Sequence, residues 1–461
     1  MSRSLLQYQR VYFLGAGGIG MSALARYFKA CGMEVAGYDR TSTPLTDELR
    51  KEGIAIHFLD DINEIPADFK KLELKDSTLV VLTPAVPKDH AELNYFLQQG
   101  FTVMKRSQVL GLITTGVKTF AVAGTHGKTT TSSILAHILR YAGKNVTAFL
   151  GGIAVNYQSN YLEGNPANDD HCIVVEADEF DRSFLTLFPS MAVITSMDPD
   201  HLDIYGDASA MRKTYHQFAS QVSDLLLLHY HLEDPITDAK IIHYGIDKKL
   251  PYHAQHIQVV DGRYQFDLVT PGYTLKGLTL GLPGRHNIEN AVGASAIALE
   301  NGVDPGTLAE ALADYKGVQR RFEVCVHNQQ VVYIDDYAHH PAELKAAILS
   351  AKELFPGKKI TGIFQPHLFT RTRDFADGFA ESLDLLDCVY LMDIYPAREL
   401  PLPGITSATI MERMRSKVVE IVSPEALIQK LRADKPEVLM TLGAGDIDKL
   451  VQPIIRLLTT A

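Results

Sequence analysis

The sequence has no paired-cysteine spacing. Its four cysteines, Cys31, Cys172, Cys325 and Cys388, lie far apart with no C-x-x-C pair. That argues against a zinc site or a disulfide framework and predicts reduced, mostly buried thiols. Long hydrophobic runs are missing too. No stretch reaches the roughly 18 uninterrupted apolar residues of a membrane span, and the LLLL run at 225–228 reads as core strand or helix. The opening MSRSLLQYQRVYFLGAG lacks an extended apolar region with a cleavage site, so no secretory leader is expected and a cytoplasmic location is. Excess positive charge is absent. The chain carries −11 at neutral pH, which leaves no general basic footprint for nucleic acid. Anionic ligands must then be held locally, by helix N-termini, a few Lys or Arg side chains, and metal. Short internal repeats and low-complexity tracts are also lacking.

What is present is an alternation of strands and helices. At roughly 100–200 residues per domain, 461 residues predict about three domains. Strand-like runs and helical spacing alternate through RVYFLGAG, GMSALARYFKACG, EVAGYD and STLVVLTPAV, then TFAVAG, TSSILAHILRYAG, HCIVVEADEF, SMAVITSM and HNIENAVGASAIALENG. The last third repeats the pattern in VVYIDDYA, PAELKAAILSAKELF, KITGIFQP, CVYLMDIY and EVLMTLGAGD. This is the α/β class, with parallel sheets covered by helices. TVMKRSQVLGLI is predicted as a helix, and residues 240–280, where polar and apolar residues alternate between turn residues, as an antiparallel appendage. The boundaries implied are 1–112, 113–318 and 319–461.

GAGGIG at 15–20 follows a strand and opens a helix. In this G-x-G-x-x-G pattern Gly15 and Gly17 allow a tight turn and close approach to a diphosphate, and Gly20 allows close helix packing. The helix N-terminus beyond offers free N–H groups. Asp39 ends the next strand, from where an acidic residue meets a ribose hydroxyl; a plain strand-end cap is the alternative. The loop alone fits NAD, a sugar nucleotide such as a UDP-sugar, or a purely structural turn.

VAGTHGKTTT at 122–131 has the Gly127-Lys128-Thr129 core of a P-loop, but Val122 stands where the common pattern has its first glycine and Gly124 lies closer. A shorter loop can still aim N–H groups at phosphate oxygens. Lys128 supplies charge for the outer phosphates and the Thr129 hydroxyl a ligand for Mg²⁺; an incidental turn is the alternative. Mg²⁺ takes hard oxygen ligands. VVEADEFD puts Glu176 at one strand end, and SMDPDHLD puts Asp198, Asp200, His201 and Asp203 at the next. His201 alone reads as structural; beside a P-loop it reads as a metal or phosphate ligand.

With EADEFDRSFL, PDHLDIYGD, GRHNIENA, GVQRRFE, DDYAHHP, QPHLFTRTRDF, IYPARE and TLGAGDI, these motifs run in order along nearly the whole chain. Together they resemble the Mur ligase family of ATP-dependent amide-forming enzymes, of which the irregular GTHGKTTT loop is a signature. The resemblance implies a three-domain Mur ligase architecture: a Rossmann-like N-terminal domain for the UDP-sugar, a central P-loop ATPase-like domain, and a Rossmann-like C-terminal domain for ATP and the amino acid. It further implies ATP, Mg²⁺, UDP-N-acetylmuramate and L-alanine as cofactors and substrates, with no nucleic-acid or membrane partner, in a monomer or homodimer. The expected reaction joins alanine to the lactyl carboxylate through an acyl phosphate, releasing ADP and phosphate, in peptidoglycan synthesis.

Carried over by position, the resemblance places the sugar nucleotide on Gly15, Gly17, Gly18, Ile19, Gly20, Met21, Ser22, Asp39, Arg106 and His126. ATP falls on Gly124, Thr125, His126, Gly127, Lys128, Thr129, Thr130, His286, Asn290, Arg321 and Asp336, and Mg²⁺ on Thr129, Glu176 and His201. The amino acid falls near His339, His340, His367, Arg371 and Arg373, and Lys128, His201 and Arg371 are the catalytic candidates. Arg320 reads equally as a surface charge or as part of the site, and one of His339 and His340 as a helix-start residue. Leu368 stands where many family members carry a basic residue, so Arg371 is expected to hold the amino-acid carboxylate. Three rival readings differ. A nicotinamide-dependent oxidoreductase leaves GTHGKTTT unexplained. A nucleotide-binding switch would bind ATP without amino-acid-dependent phosphate release. A family ligase that adds a preformed peptide usually departs from GGIGMS.

Overall fold

The computed structural model describes residues 5, 7–199, 205–246, 249–397, 399–415 and 418–459. Three sheets carry it. The first holds β1 Arg10–Leu14, β2 Glu34–Tyr38, β3 Ala55–His57, β4 Thr78–Leu82 and β5 Thr102–Lys105, in the order β3-β2-β1-β4-β5 and all parallel. Four of the five β1 residues are buried, as expected of a strand covered on both faces. TVMKRSQVLGLI, expected as one helix, divides into β5 and the helix Arg106–Thr114. Its first residues complete the edge of the sheet, and the β-branched Thr102 and Val103 suit that role.

The second sheet has ten strands: β6 Lys118–Ala123, β7 Val146–Ala154, β8 Ser159–Leu162, β9 Cys172–Glu176, β10 Met191–Ile194, β11 Leu225–His229, β12 Lys240–Ile246, β13 Tyr252–Val260, β14 Arg263–Val269 and β15 Thr274–Leu280. Their order is β15-β14-β13-β12-β11-β10-β6-β9-β7-β8. The LLLL run is β11. The expected antiparallel appendage is corrected at its start, because β12 pairs parallel with both β11 and β13. The third sheet joins β16 Glu323–His327, β17 Val332–Asp336, β18 Ile360–Phe364, β19 Cys388–Leu391, β20 Val419–Ile421 and β21 Val438–Leu442, ordered β16-β17-β21-β18-β19-β20.

The chain packs as two compact units. One comprises Met1–Gln255, Leu268–Lys276 and Glu289–Asp314; the other comprises His256–Asp267, Gly277–Ile288 and Tyr315–Ala461. Within the first unit, the helix Ile19–Ala30 that follows the glycine loop lies on the β7–β8 hairpin. Tyr27 meets Phe149 and Tyr161 with ring centroids 5.5 and 6.4 Å apart. Asn160 of β8, 0% exposed, closes this contact with polar bonds. Its amide donates to Ile19 O at 2.6 Å and to Ser22 Oγ at 2.9 Å, and its oxygen accepts from Arg26 Nη1 at 2.5 Å. The helix Lys128–Tyr141 is buried all round from Thr129 to Leu139, the pattern of a helix inside a core rather than on a surface.

Candidate active site

The first glycine loop leaves the C-terminal end of β1, at the centre of its sheet. Gly15 takes φ +88°, a conformation that costs glycine little, and the N–H groups of Gly15 and Ala16 donate to Tyr38 O at 2.8 and 2.9 Å. Asp39 clamps the loop, accepting from Gly17 N at 2.7 Å and from Thr41 N at 3.1 Å. Gly20 serves an approach other than the expected helix packing. A Cβ there would stand 2.7 Å from Arg106 Nη1, so the missing side chain makes room for the Arg106 guanidinium. Arg106 Nη2 reaches Asp178 at 3.3 Å. Ser22 is fully buried and bonded to Ile19 O and Asn160, so it supports the loop from behind.

The second loop leaves β6 between β9 and β10. Val122 lies opposite Glu176, and Ala123 opposite Ile194. Residues 124–127 therefore emerge between two acidic strand ends, at the edge where open α/β sheets bind ligands. Gly127 caps the buried helix at φ +80°, and a Cβ on it would stand 2.5 Å from Asn290 Oδ1, which places Asn290 against the loop. Thr125 Oγ1 donates to Asp198 O at 2.9 Å and His126 N to Ser196 Oγ at 2.8 Å, while His126 Nε2 lies 3.7 Å from Asp198 Oδ2. Lys128 Nζ donates to Gly124 O at 2.6 Å, to Thr125 O at 3.3 Å and to Glu179 Oε1 at 2.9 Å. Burial opposes the Lys128 charge, but Glu179, Glu176 and Asp178 outweigh it and raise the pKa. Burial pushes Glu179 up to about 7 against the pull of Lys128. Glu179 was not picked out from the sequence; the second glutamate of EADE was its signal.

The first loop faces the acidic end of β9 across a cavity. A cavity of about 270 Å³ is walled by Gly18, Ile19, Gly20 and Met21 of the first loop, by Arg106, and by Phe149, Leu150, Gly151, Glu176 and Asp178. Glu176 Oε2 is buried in this wall with no hydrogen-bond partner among the described residues. A side chain at Gly151 would fall on that carboxylate, so the glycine keeps the acid's surroundings open. Asp178 and the β7 residues escaped the sequence reading because only the folded chain brings β7 beside β9. His201, with Asp200 and Asp203, lies outside the described residues. Among those described, no three His, Cys, Asp or Glu side chains are grouped to hold a metal.

The other unit holds a second cluster, at the ends of β17 and β18. The Asp336 oxygens accept from Phe322 N at 2.8 Å and Ala338 N at 2.7 Å, and burial raises its pKa to about 6. Arg321 lies over the Tyr337 ring at 5.0 Å. Of the two readings of Arg320, the surface charge does not hold: it bonds Asp335, 1% exposed, at 3.1 Å and Gly443 O at 2.7 Å. His340 is the helix-start residue, accepting from Ala342 N at 3.3 Å. His339 Nδ1 sits 3.0 Å from Tyr337 O, and burial lowers its pKa to about 4. His367 stacks on Tyr395 with centroids 5.7 Å apart and lies 6.0 Å from the His339 ring. Arg371 Nη1 is 3.5 Å from His367 Nδ1. These side chains meet, but Arg373 turns to Asp374 at 2.6 Å with its side chain 53% exposed. His286 packs beside Gly284 in the same unit.

Three stretches match family models: residues 10–117 the Mur ligase family catalytic domain, 122–298 the Mur ligase middle domain, and 320–445 the Mur ligase glutamate ligase domain. The chain belongs to the Mur ligase family. Its α/β sheets thus follow the three-domain plan of that family. The UDP-N-acetylmuramate–L-alanine ligase of Flavobacterium johnsoniae is 49% identical over 455 residues, 99% of each chain. That of Porphyromonas gingivalis is 50% identical over 461 aligned positions, 98% of this chain and 99% of its own. Among solved structures, the UDP-N-acetylmuramate–alanine ligase of Thermotoga maritima is similar with a TM-score of 0.81 at 28% identity, covering 98% of this chain and 99% of its own. A murein peptide ligase from Psychrobacter arcticus shares the fold, with a TM-score of 0.69 at 22% identity over 98% of this chain and 99% of its own.

Proposed function

We propose that the chain joins L-alanine to the lactyl carboxylate of UDP-N-acetylmuramate, consuming ATP, in peptidoglycan synthesis. The cavity between the first loop and the end of β9 carries this reading. The first loop lines one side of it and Glu176 and Asp178 another, and Glu176 ends the strand beside the P-loop, so a sugar nucleotide seated on the first loop would bring its acid to the ATP end of the site. A nicotinamide enzyme has no use for that juxtaposition. The relatives of about half identity carry the same activity in their names.

A carboxylate does not react with an amine, because oxide is a poor leaving group. One lactyl oxygen attacks the γ-phosphorus of ATP, ADP departs, and an acyl phosphate forms. The neutral amine of alanine then attacks the carbonyl, sheds a proton, and phosphate leaves with its electron pair. The first step drives two anions together. Lys128 offsets that charge and the loop N–H groups fix the phosphates, so the chain contributes mostly position and electrostatics. Residues 1–112 are assigned to the sugar nucleotide, 113–318 to ATP, and 319–461 to ATP and alanine, with Arg371 beside His367 taking the alanine carboxylate.

Thr129 and Glu176 fit Mg²⁺, with His201 as a third ligand. The buried Glu176 oxygen lacks a hydrogen bond within the described chain, and Mg²⁺ is commonly held by one or two carboxylates plus substrate phosphates. When bound it supplies charge neutralisation to the phosphoryl group. No helix among the described residues is long and apolar enough to cross a membrane, and we place the reaction in the cytoplasm with its ATP.

The test is phosphate release from UDP-N-acetylmuramate, ATP and Mg²⁺ against alanine, glycine, serine and a stem tripeptide. Release with alanine supports the reading. Release with the tripeptide alone would assign a peptide-adding ligase, and none with any acceptor would reject the ligase reading.

A further inference from the structure

We infer that Glu179 is a latch on the P-loop lysine: it pairs with Lys128, and the terminal phosphate of a triphosphate competes for the same ammonium group. The inference rests on the ATP site proposed above and assigns a positioning role to a residue outside the phosphate loop.

An ammonium group has three donors. In Lys128 all three are engaged. Two go to carbonyls of the loop itself, Gly124 O at 2.6 Å and Thr125 O at 3.3 Å. The third goes to the Glu179 carboxylate, whose oxygens lie 2.9 and 2.8 Å from Nζ. A phosphate oxygen can therefore reach Lys128 only by displacing a partner. The two carbonyls travel with the loop, whereas Glu179 comes from the segment after β9 and is the partner that can be exchanged. Its backbone is anchored, with the Tyr205 hydroxyl donating to its carbonyl oxygen at 2.6 Å, so exchange moves only the side chain, which is 1% exposed.

Exchange of a carboxylate for a phosphate replaces one charge-assisted hydrogen bond by another. The latch thus lowers triphosphate affinity without abolishing it. Its use lies at the end of the cycle. ADP lacks the γ-phosphate and competes for Lys128 with its β-phosphate alone, so Glu179 regains the lysine more readily after phosphoryl transfer and favours ADP release. The displaced carboxylate would face phosphate charge, and its raised pKa of about 7 eases proton uptake at that moment.

The experiment uses the full chain with Mg²⁺ and titrates a non-hydrolysable ATP analogue and ADP into wild type and Glu179→Gln. The variant should bind the triphosphate about tenfold more tightly, the scale of one charge-assisted hydrogen bond, with ADP changed less than about threefold. A purely structural Glu179 would instead weaken both nucleotides together. Glu179→Asp, which keeps the charge but shortens the reach, covers the case of a poorly folded Gln variant and should move affinity in the same direction by less. Unchanged or weaker triphosphate binding in a variant with wild-type thermal unfolding overturns the latch, as does equal tightening of ADP. Wild type that binds neither nucleotide overturns the ATP site itself; wild type that turns over normally beside an unresponsive variant overturns the latch alone.

Discussion

The Asp39 carboxylate accepts a hydrogen bond from the Gly17 N–H at 2.7 Å. The acid at the end of β2 thus fixes the shape of the first glycine loop, and its second oxygen holds Thr41 N. Asp39→Ala should raise KM for UDP-N-acetylmuramate about tenfold, the scale of one hydrogen bond to a charged group. KM for ATP should hold, since ATP is assigned to the other loop. Steady-state kinetics with each substrate varied will decide, and a parallel rise in both constants counts against the assignment.

Asn160 ties the helix behind that loop to β8. Truncation to Ala removes three hydrogen bonds and leaves buried donors and acceptors unsatisfied, which costs about 2–3 kcal/mol. Asn160→Asp should be worse, because a carboxylate oxygen would then face the Ile19 carbonyl. Urea unfolding of both variants measures the loss, and a cost below about 1 kcal/mol for the Ala change would show that the contact is idle.

Motifs whose chemistry is local were legible in the sequence. GAGGIG and GTHGKTTT each fix a strand, a turn and a helix within a dozen residues, and both loops emerge at the C-terminal edges of their sheets. Residues whose role depends on distant partners were not. Asn160 sits in YQSNYLEG with no local signal, and its partners Ile19 and Arg26 are more than 130 positions away. Arg320 was left open for the same reason: its counter-ion Asp335 lies in β17 and its acceptor Gly443 just beyond β21, both distant in the chain. β5 was absorbed into a helix because four residues are too few to display a period against the helical run that follows.

Lys128→Ala should lower kcat by at least about a hundredfold, as loss of a group stabilising transferred charge does, while UDP-N-acetylmuramate still binds the separate first loop. It should also destabilise the chain by about 3–5 kcal/mol, because the buried Glu179 loses the cation it pairs with. Lys128→Ala combined with Glu179→Gln should recover much of that stability but none of the turnover. Recovery of turnover in the double variant would sink the role given to the lysine.

His339 offers a pH test. Burial chiefly, with Arg371 and Arg321 adding to it, lowers its pKa from 6.5 to about 4 despite Glu343 and the Tyr337 carbonyl. Between those values the unfolded chain binds the proton and the folded chain does not. The contribution to stability is therefore whole above about pH 6.5 and is lost as pH falls toward 4. His339→Gln has nothing to protonate, so wild type should lose more stability than the variant between pH 7 and pH 4.5. Equal losses in denaturant melts at the two pH values would place the ring in water.

Leu368, between His367 and the helix Phe369–Leu383, takes φ +70° and ψ 139°. A leucine there is strained, by about 1–3 kcal/mol, and its neighbours keep it so. Leu368 N donates to Tyr395 O at 2.9 Å, and Leu368 O accepts from Thr372 Oγ1 at 2.8 Å. The same Tyr395 stacks on His367, so the strained turn sets the ring that stands beside Arg371. Leu368→Gly removes the side-chain clash but frees the unfolded backbone, and relief of strain should win by about 1 kcal/mol. The price is a looser His367 and a higher KM for alanine. Thermal unfolding and alanine kinetics on the one variant separate these effects: a less stable Gly variant with unchanged KM would mean that the turn is neither strained nor coupled to the amino-acid end of the site.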